Sequence, residues 1–204
     1  MKNTMLSALF AAILFSPLAF SDTRAHVSVG SDYMWRGISQ NAGNTALSAY
    51  LSYENEGFYG SVWASQVDYG DPAHWEWDLT AGYDLHVTDD LSIGGGIVQY
   101  NYDKVYDDIE ELFVNTVYKD TNITYYVDTD NRNNAYLEVY QGLPFISVLD
   151  VKIEYGSFKD GDQHMALHFG KMLTNNVYAN LMVMDGVRHG NAMDSVTASL
   201  FYNF

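Results

Sequence analysis

The sequence predicts an all-β chain: a transmembrane, antiparallel up-and-down β-barrel of about 12 strands, with 10 as the alternative count. Three observations point there. Segments of membrane-crossing length alternate apolar and polar residues with period two. Short turns alternate with longer, Asp-rich connections. The final ten residues, 195–204, form one more alternating strand that stops on an aromatic. In that strand Val196, Ala198, Leu200, Tyr202 and Phe204 share one face, and Ser195, Thr197, Ser199, Phe201 and Asn203 the other. About ten residues are what a tilted strand needs to cross a bilayer, and aromatics settle at membrane interfaces.

In chain order, Lys2 precedes an uncharged run, residues 5–20, interrupted by Pro17 and closed by Ala19-Phe20-Ser21. A basic start, a short apolar middle and small residues before the break read as a secretory signal, so the expected division is 1–21 signal peptide and 22–204 barrel. The next strand carries Val27, Val29, Ser31, Tyr33 and Trp35 against Ser28, Gly30, Asp32, Met34 and Arg36. Leu47, Ala49, Leu51 and Tyr53 then oppose Ser48, Tyr50 and Ser52, and Asn55-Glu56-Gly57 turns the chain. Residues 58–67 form a third strand whose facing the pattern leaves open. The fourth alternates most cleanly: Trp75, Trp77, Leu79, Ala81, Tyr83 and Leu85 against Glu76, Asp78, Thr80, Gly82, Asp84 and His86. Residues 91–102 follow, softened by Gly94-Gly95-Gly96. Strands at 111–118, 123–128, 134–141, 147–155, 163–172 and 177–184 complete the set before the terminal one.

The longer connections (39–44, 69–74, 103–108, 129–133, 156–161 and 185–194) fall on one end and the short turns on the other. An outer-membrane barrel has short periplasmic turns and longer external loops. Tyr33, Trp35, Trp75, Trp77 and Tyr155 then form an aromatic girdle at the loop end, and Tyr53, Tyr118, Tyr202 and Phe204 one at the turn end. A soluble sandwich shares the period but explains neither the strand length nor the girdles. The apolar faces carry one charge, Lys171, near enough to the turn end to snorkel.

The absence of Cys excludes a disulfide framework and thiol chemistry. The formal charge of −16 leaves no basic surface to neutralise phosphates, so nucleic acid is excluded as a partner. On the inward faces lie Asp32, Arg36, Glu76, Asp78, Asp84, Glu111, Asp128, Glu138, Asp150, Lys152 and Glu154. This acidic excess reads either as a negative lumen that concentrates cations or as polar cross-linking of a filled interior. Tyr50, Tyr126, Tyr136, Tyr140, Tyr178 and Phe201 also point inward and would narrow any pore. The six histidines make no catalytic constellation: His164 and His168 share a face but sit roughly 13 Å apart along a strand. His86 and Asp84 are also unsupported by any nucleophile or metal motif. Asp107-Asp108 and Asp160-Gly161-Asp162 read as solvated turns, so no cofactor, metal or catalytic residue is expected.

The run Ser31-Asp32-Tyr33-Met34-Trp35-Arg36-Gly37-Ile38-Ser39-Gln40 resembles the TorF-type porin, or Gcw_chp, family of proteobacterial outer-membrane proteins. The resemblance continues through Gly57-Phe58-Tyr59-Gly60-Ser61-Val62-Trp63-Ala64-Ser65, Val67-Asp68-Tyr69 and Glu76-Trp77-Asp78-Leu79-Thr80-Ala81-Gly82-Tyr83. It departs at Tyr100-Asn101-Tyr102-Asp103-Lys104, where the family has a Pro, and the C-terminal half matches only in pattern. The resemblance implies an exported outer-membrane barrel with a pore, and brings neither a substrate nor catalytic residues.

The expectation is a non-enzymatic, porin-like channel for passive passage of small polar solutes, with a weak cation preference. An outer-membrane barrel hydrolase and a pore-less structural or adhesive barrel are the alternatives. Expected partners are outer-membrane lipid and lipopolysaccharide, the barrel-assembly machinery through the strand ending in Phe204, and the solutes themselves.

Overall fold

The computed structural model describes residues 23–104 and 108–204. The proposed signal segment 1–21, and Asp107 of the Asp107-Asp108 pair, lie outside them. Twelve strands form the wall: β1 (Thr23–Gly30), β2 (Ala46–Asn55), β3 (Phe58–Gln66), β4 (Trp75–Thr88), β5 (Leu91–Tyr102), β6 (Ile109–Tyr118), β7 (Thr121–Asp128), β8 (Ala135–Gly142), β9 (Asp150–Phe158), β10 (Gln163–Met172), β11 (Val177–Arg188) and β12 (Ser195–Asn203). Each pairs antiparallel with its neighbour in sequence. The ring closes where β1 meets β12, with Val27 opposite Tyr202 and Val29 opposite Leu200. Closure leaves no unpaired edge, the condition for strands to cross hydrocarbon.

Alternation decides which residues face out. On β4 Leu79, Tyr83 and Leu85 are exposed, whereas Glu76 on the opposite face is 2% exposed. Leu47, Leu112, Val114 and Val196 are each more than half exposed on the same outer surface. In water so continuous an apolar belt would drive association, and in a bilayer it matches its solvent. The outward apolar faces also dispose of the sandwich, in which they would meet one another across a core. β3, open in the sequence, turns Val62 out and Trp63 in against Tyr33, ring centroids 4.8 Å apart.

At one end the connections are short: 56–57, 89–90 and 119–120 join successive strands directly, and 173–176 is little longer. Glu56 and Gly57 both have positive φ, 50° and 86°, the two-residue turn that matches strand twist. Only 143–149 departs from the expected shortness. Tyr53, Tyr118, Tyr202 and Phe204 stand exposed around this end, as expected.

The opposite end holds the main correction. The first strand does not run to Arg36 but stops at Gly30, and residues 31–45 fold into the barrel. Ser31 and Ala198 exchange bonds at the point of departure: Ser31 N donates to Ala198 O (2.8 Å), and Ala198 N to Ser31 Oγ (3.0 Å). Asp32 Oδ1 accepts from Tyr33 N (2.7 Å) and Ser39 Oγ (2.9 Å), closing a small ribbon in which Met34–Trp35 pairs with Ile38–Ser39. Arg36 (φ 49°) and Gly37 (φ 82°) make its turn. Gln40 ties the excursion to the next loop, accepting from Tyr69 OH (2.8 Å) and Asp68 N (2.9 Å). Tyr33 and Trp35 therefore leave the expected loop-end girdle for the interior, and Trp75, 43% exposed, stays in it.

Candidate functional site

The interior is the candidate site, built where the excursion meets the wall. Arg36, carried in by its turn, forks onto Glu111 of β6: Nη1 donates to Oε1 (2.7 Å) and Nη2 to Oε2 (2.5 Å). Tyr100 of β5 donates its hydroxyl to the same Oε2 (3.0 Å). The guanidinium lies 4.4 Å from the Trp35 ring, 4.6 Å from Tyr126 and 4.4 Å from Tyr136, with Phe158 at 6.0 Å. Both partners are almost wholly buried, so the bidentate pair and its rings compensate charges withdrawn from water.

A second constellation joins β9 and β10. Ala166 stands opposite Glu154, which puts His164 and His168 diagonally to either side of that carboxylate. His164 Nε2 meets Oε1 at 2.8 Å and His168 Nε2 meets Oε2 at 2.7 Å. The two histidines too distant to cooperate along their own strand are thus bridged from the next one. Gly156 and Gly186 flank His164 closely, and a β-carbon at either would collide with it. Tyr136, stacked over the His164 ring, links this cluster to the Arg36 cage.

Glu76 and Asp78 share the inner face of β4, near the half-buried Tyr33. Tyr102 OH donates to Glu76 Oε1 (3.2 Å), while Glu76 Oε2 and Asp78 Oδ1 meet no hydrogen-bond partner among the described residues. Between these clusters a cavity of about 290 Å³ is lined by Arg36, Tyr126, Glu138, Tyr140, Glu154 and His168, with Met34, Met182 and Met184 on one side.

The inward charges read from sequence separate into groups. Arg36, Glu138 and Glu154 line the cavity, and Glu111 stands behind Arg36 as its partner. Asp84 faces inward nearer the turn end, where Asn115 Nδ2 donates to it (3.3 Å). Lys152, opposite His168 in register, and Asp150 are exposed near the same end. Besides Arg36, carried in by the excursion, two residues do not line the wall as expected. Asp32 closes the excursion's ribbon, and Asp128 caps a loop by accepting from Asp130 N (2.8 Å), Asn131 N (3.0 Å) and Asn134 Nδ2 (3.1 Å). His86 turns from Asp84 to Ser92 Oγ (2.7 Å). Sequence reasoning placed His164 and His168 on one face but set them aside as too far apart, and did not single out Tyr100; the roles of all three depend on cross-strand register. Asp160, Asp162 and His189 come together on the loops, with Asp162 already engaged by His189 N (2.7 Å).

Residues 14–147 match the Gcw_chp family, described as "Bacterial protein of unknown function". The match carries that family and not the TorF label that the motifs suggested. No curated protein matches the sequence. Among solved structures, the KdgM porin superposes with a TM-score of 0.63 at 12% identity, covering 89% of this chain and 99% of its own. The KdgM porin in complex with disordered oligogalacturonate gives 0.64 at 12% identity, with coverage of 89% and 99%. OprD from Pseudomonas aeruginosa covers 91% of this chain and 65% of its own, at 9% identity and a TM-score of 0.43. At such identities the likeness to KdgM is one of fold, the closed barrel of outer-membrane porins, and the apolar belt agrees with that membrane.

Proposed function

The chain belongs to the Gcw_chp family of bacterial proteins, and from that premise we propose that it is a narrow outer-membrane channel, without an enzymatic step, that passes small polar solutes and weakly prefers cations. The observation that carries the reading is the contrast between the two surfaces of one wall: apolar outside, and inside polar, aromatic and ionisable around a cavity of about 290 Å³. A polar interior is common to open and filled barrels of this kind, so the unfilled cavity beside the inward charges is what favours passage. Here the buried apolar cluster is small, Ala166, Met182 and Met184 with Met34 and Met193 against them.

The cation preference is supported by the charge balance around the cavity. Arg36 compensates Glu111, and Glu138 and Glu154 remain on the same lining. Fixed negative charge in a low-dielectric passage enriches cations. One of the KdgM structures holds oligogalacturonate, an anionic sugar. The acidic interior of this chain favours neutral or cationic solutes instead.

Planar-bilayer recording tests the reading. The wild-type barrel should give a small conductance and a reversal potential displaced toward the cation in a KCl gradient. The variant Asp84→Asn, Glu138→Gln, Asp150→Asn should move that potential toward the anion. The difference should shrink at 1 M salt, where the Debye length is about 3 Å. A folded barrel that passes no current would end the channel reading in favour of a structural one.

A further inference from the structure

Arg36 contributes more than a charge to the interior. Its planar fork is matched by the two oxygens of the Glu111 carboxylate, and the rings of Tyr126 and Tyr136 lie against its carbon at 4.6 and 4.4 Å from two adjoining sides. Tyr100 OH lies 3.5 Å from Nη2 and braces the carboxylate. An ammonium could supply charge here but neither the fork nor the flat stacking surface. Glu111, Tyr100, Tyr126 and Tyr136 belong to four different wall strands, so the wall itself carries a receptor shaped for a guanidinium. Arg36 reaches it on a two-residue turn and adopts a left-handed backbone (φ 49°), a region that side chains avoid and that Asn, Asp or Gly would occupy more easily. The cavity beside the guanidinium, lined by Glu138 and Glu154, leaves room for a solute to approach it.

We propose that Glu111, Tyr100, Tyr126 and Tyr136 form a guanidinium-recognition site in the barrel wall, that Arg36 occupies it as a tethered ligand holding residues 31–45 in the lumen, and that guanidinium-bearing solutes compete for it. The consequence for passage rests on the channel reading, whereas the binding site does not. Displacing Arg36 frees the excursion, so a solute of this class opens its own path.

The test uses folded full-length barrel, with guanidinium chloride as probe against sodium chloride at equal, millimolar concentration. In Arg36→Ala the site is vacant, and guanidinium should raise the thermal midpoint of heat-modifiable barrel above its value in sodium. Adding Glu111→Gln should weaken that response about tenfold, because the charge-assisted fork is lost. Wild type, in which guanidinium must first displace the tethered Arg36, should respond less than either variant. Arg36→Lys keeps a cation against Glu111 should the alanine variant fail to fold, and it too should gain from guanidinium. Equal midpoints in the two salts for these variants overturn the site. The channel is read separately, as bilayer current with L-arginine or L-lysine. A guanidinium response in barrels that never conduct keeps the site and discards the channel, whereas conduction without that response does the reverse.

Discussion

Glu154 shows at the residue scale what position in a barrel does to a polar side chain. It is 7% exposed and accepts from two imidazoles, so truncation strands both. Glu154→Ala should cost about 1–3 kcal/mol for each buried donor left without a partner. Urea unfolding in detergent should record it, with Glu154→Gln losing less because its amide oxygen still accepts one bond. Gly156→Val should also reduce the folded fraction, since its side chain would enter the space held by Tyr136 and His164. The sequence placed His164 and His168 on one face, and there its resolution ended. Their common partner appears only when Ala166 is set opposite Glu154, a register that nothing within either strand specifies. Asp128 misled for a related reason. Alternation points it inward, yet an aspartate at a strand end finds the backbone amides of its own loop first.

At the scale of elements, strand existence was legible because a wall between lipid and a polar interior forces alternation on every segment. Strand ends were less so. The run from Val27 to Arg36 alternates without interruption, and period two cannot tell a strand that continues upward from a ribbon that turns inward. The deciding features, the Asp32 cap and the Arg36-Gly37 turn, look in sequence like further strand residues. β11 is likewise longer than its pattern suggested and runs to Arg188, so the last external connection is a turn at 189–190 with Asn191–Ala192 paired back onto Val187–Arg188, not a loop opening at 185. An epitope tag placed in 189–194 should therefore label on intact cells, and one in 173–176 should label only after permeabilisation. Inverted labelling would reverse the barrel in the membrane. At the closing seam Phe204 N donates to Ala25 O (3.1 Å) and its ring packs edge-on against Tyr202 (5.2 Å). Deleting Phe204 should lower the amount of heat-modifiable barrel recovered from outer membranes, and a larger loss in cells than in detergent refolding would assign the effect to the assembly machinery.

For the whole molecule, the question is what limits passage through the ring. Two regions narrow it. Near the loop end the excursion fills the lumen, with Tyr33 on Trp63, Trp35 on Tyr100 and Met34 against the Ala166–Met182–Met184 cluster. Near the turn end His26 stacks on Tyr50 at 5.1 Å and meets Phe201 edge-on at 5.5 Å, with Tyr178 beyond it. The second group projects from four neighbouring wall strands, β1, β2, β11 and β12, whereas the first crosses from β1 to the far wall at Glu111. The excursion should therefore set the conductance. Because Gly30 already stands opposite Ala46 in the β1–β2 ladder, a short Asn-Gly hairpin can replace residues 31–45 without opening the ring. The shortened barrel should still show heat modifiability, with some loss of stability from the missing interior contacts. Its single-channel conductance should rise several-fold above wild type. Its ion preference should move further toward cations, since removing Arg36 leaves Glu111 uncompensated in an open lumen. Unchanged conductance in a folded barrel of this kind would move the limiting constriction to the ring of His26, Tyr50 and Phe201.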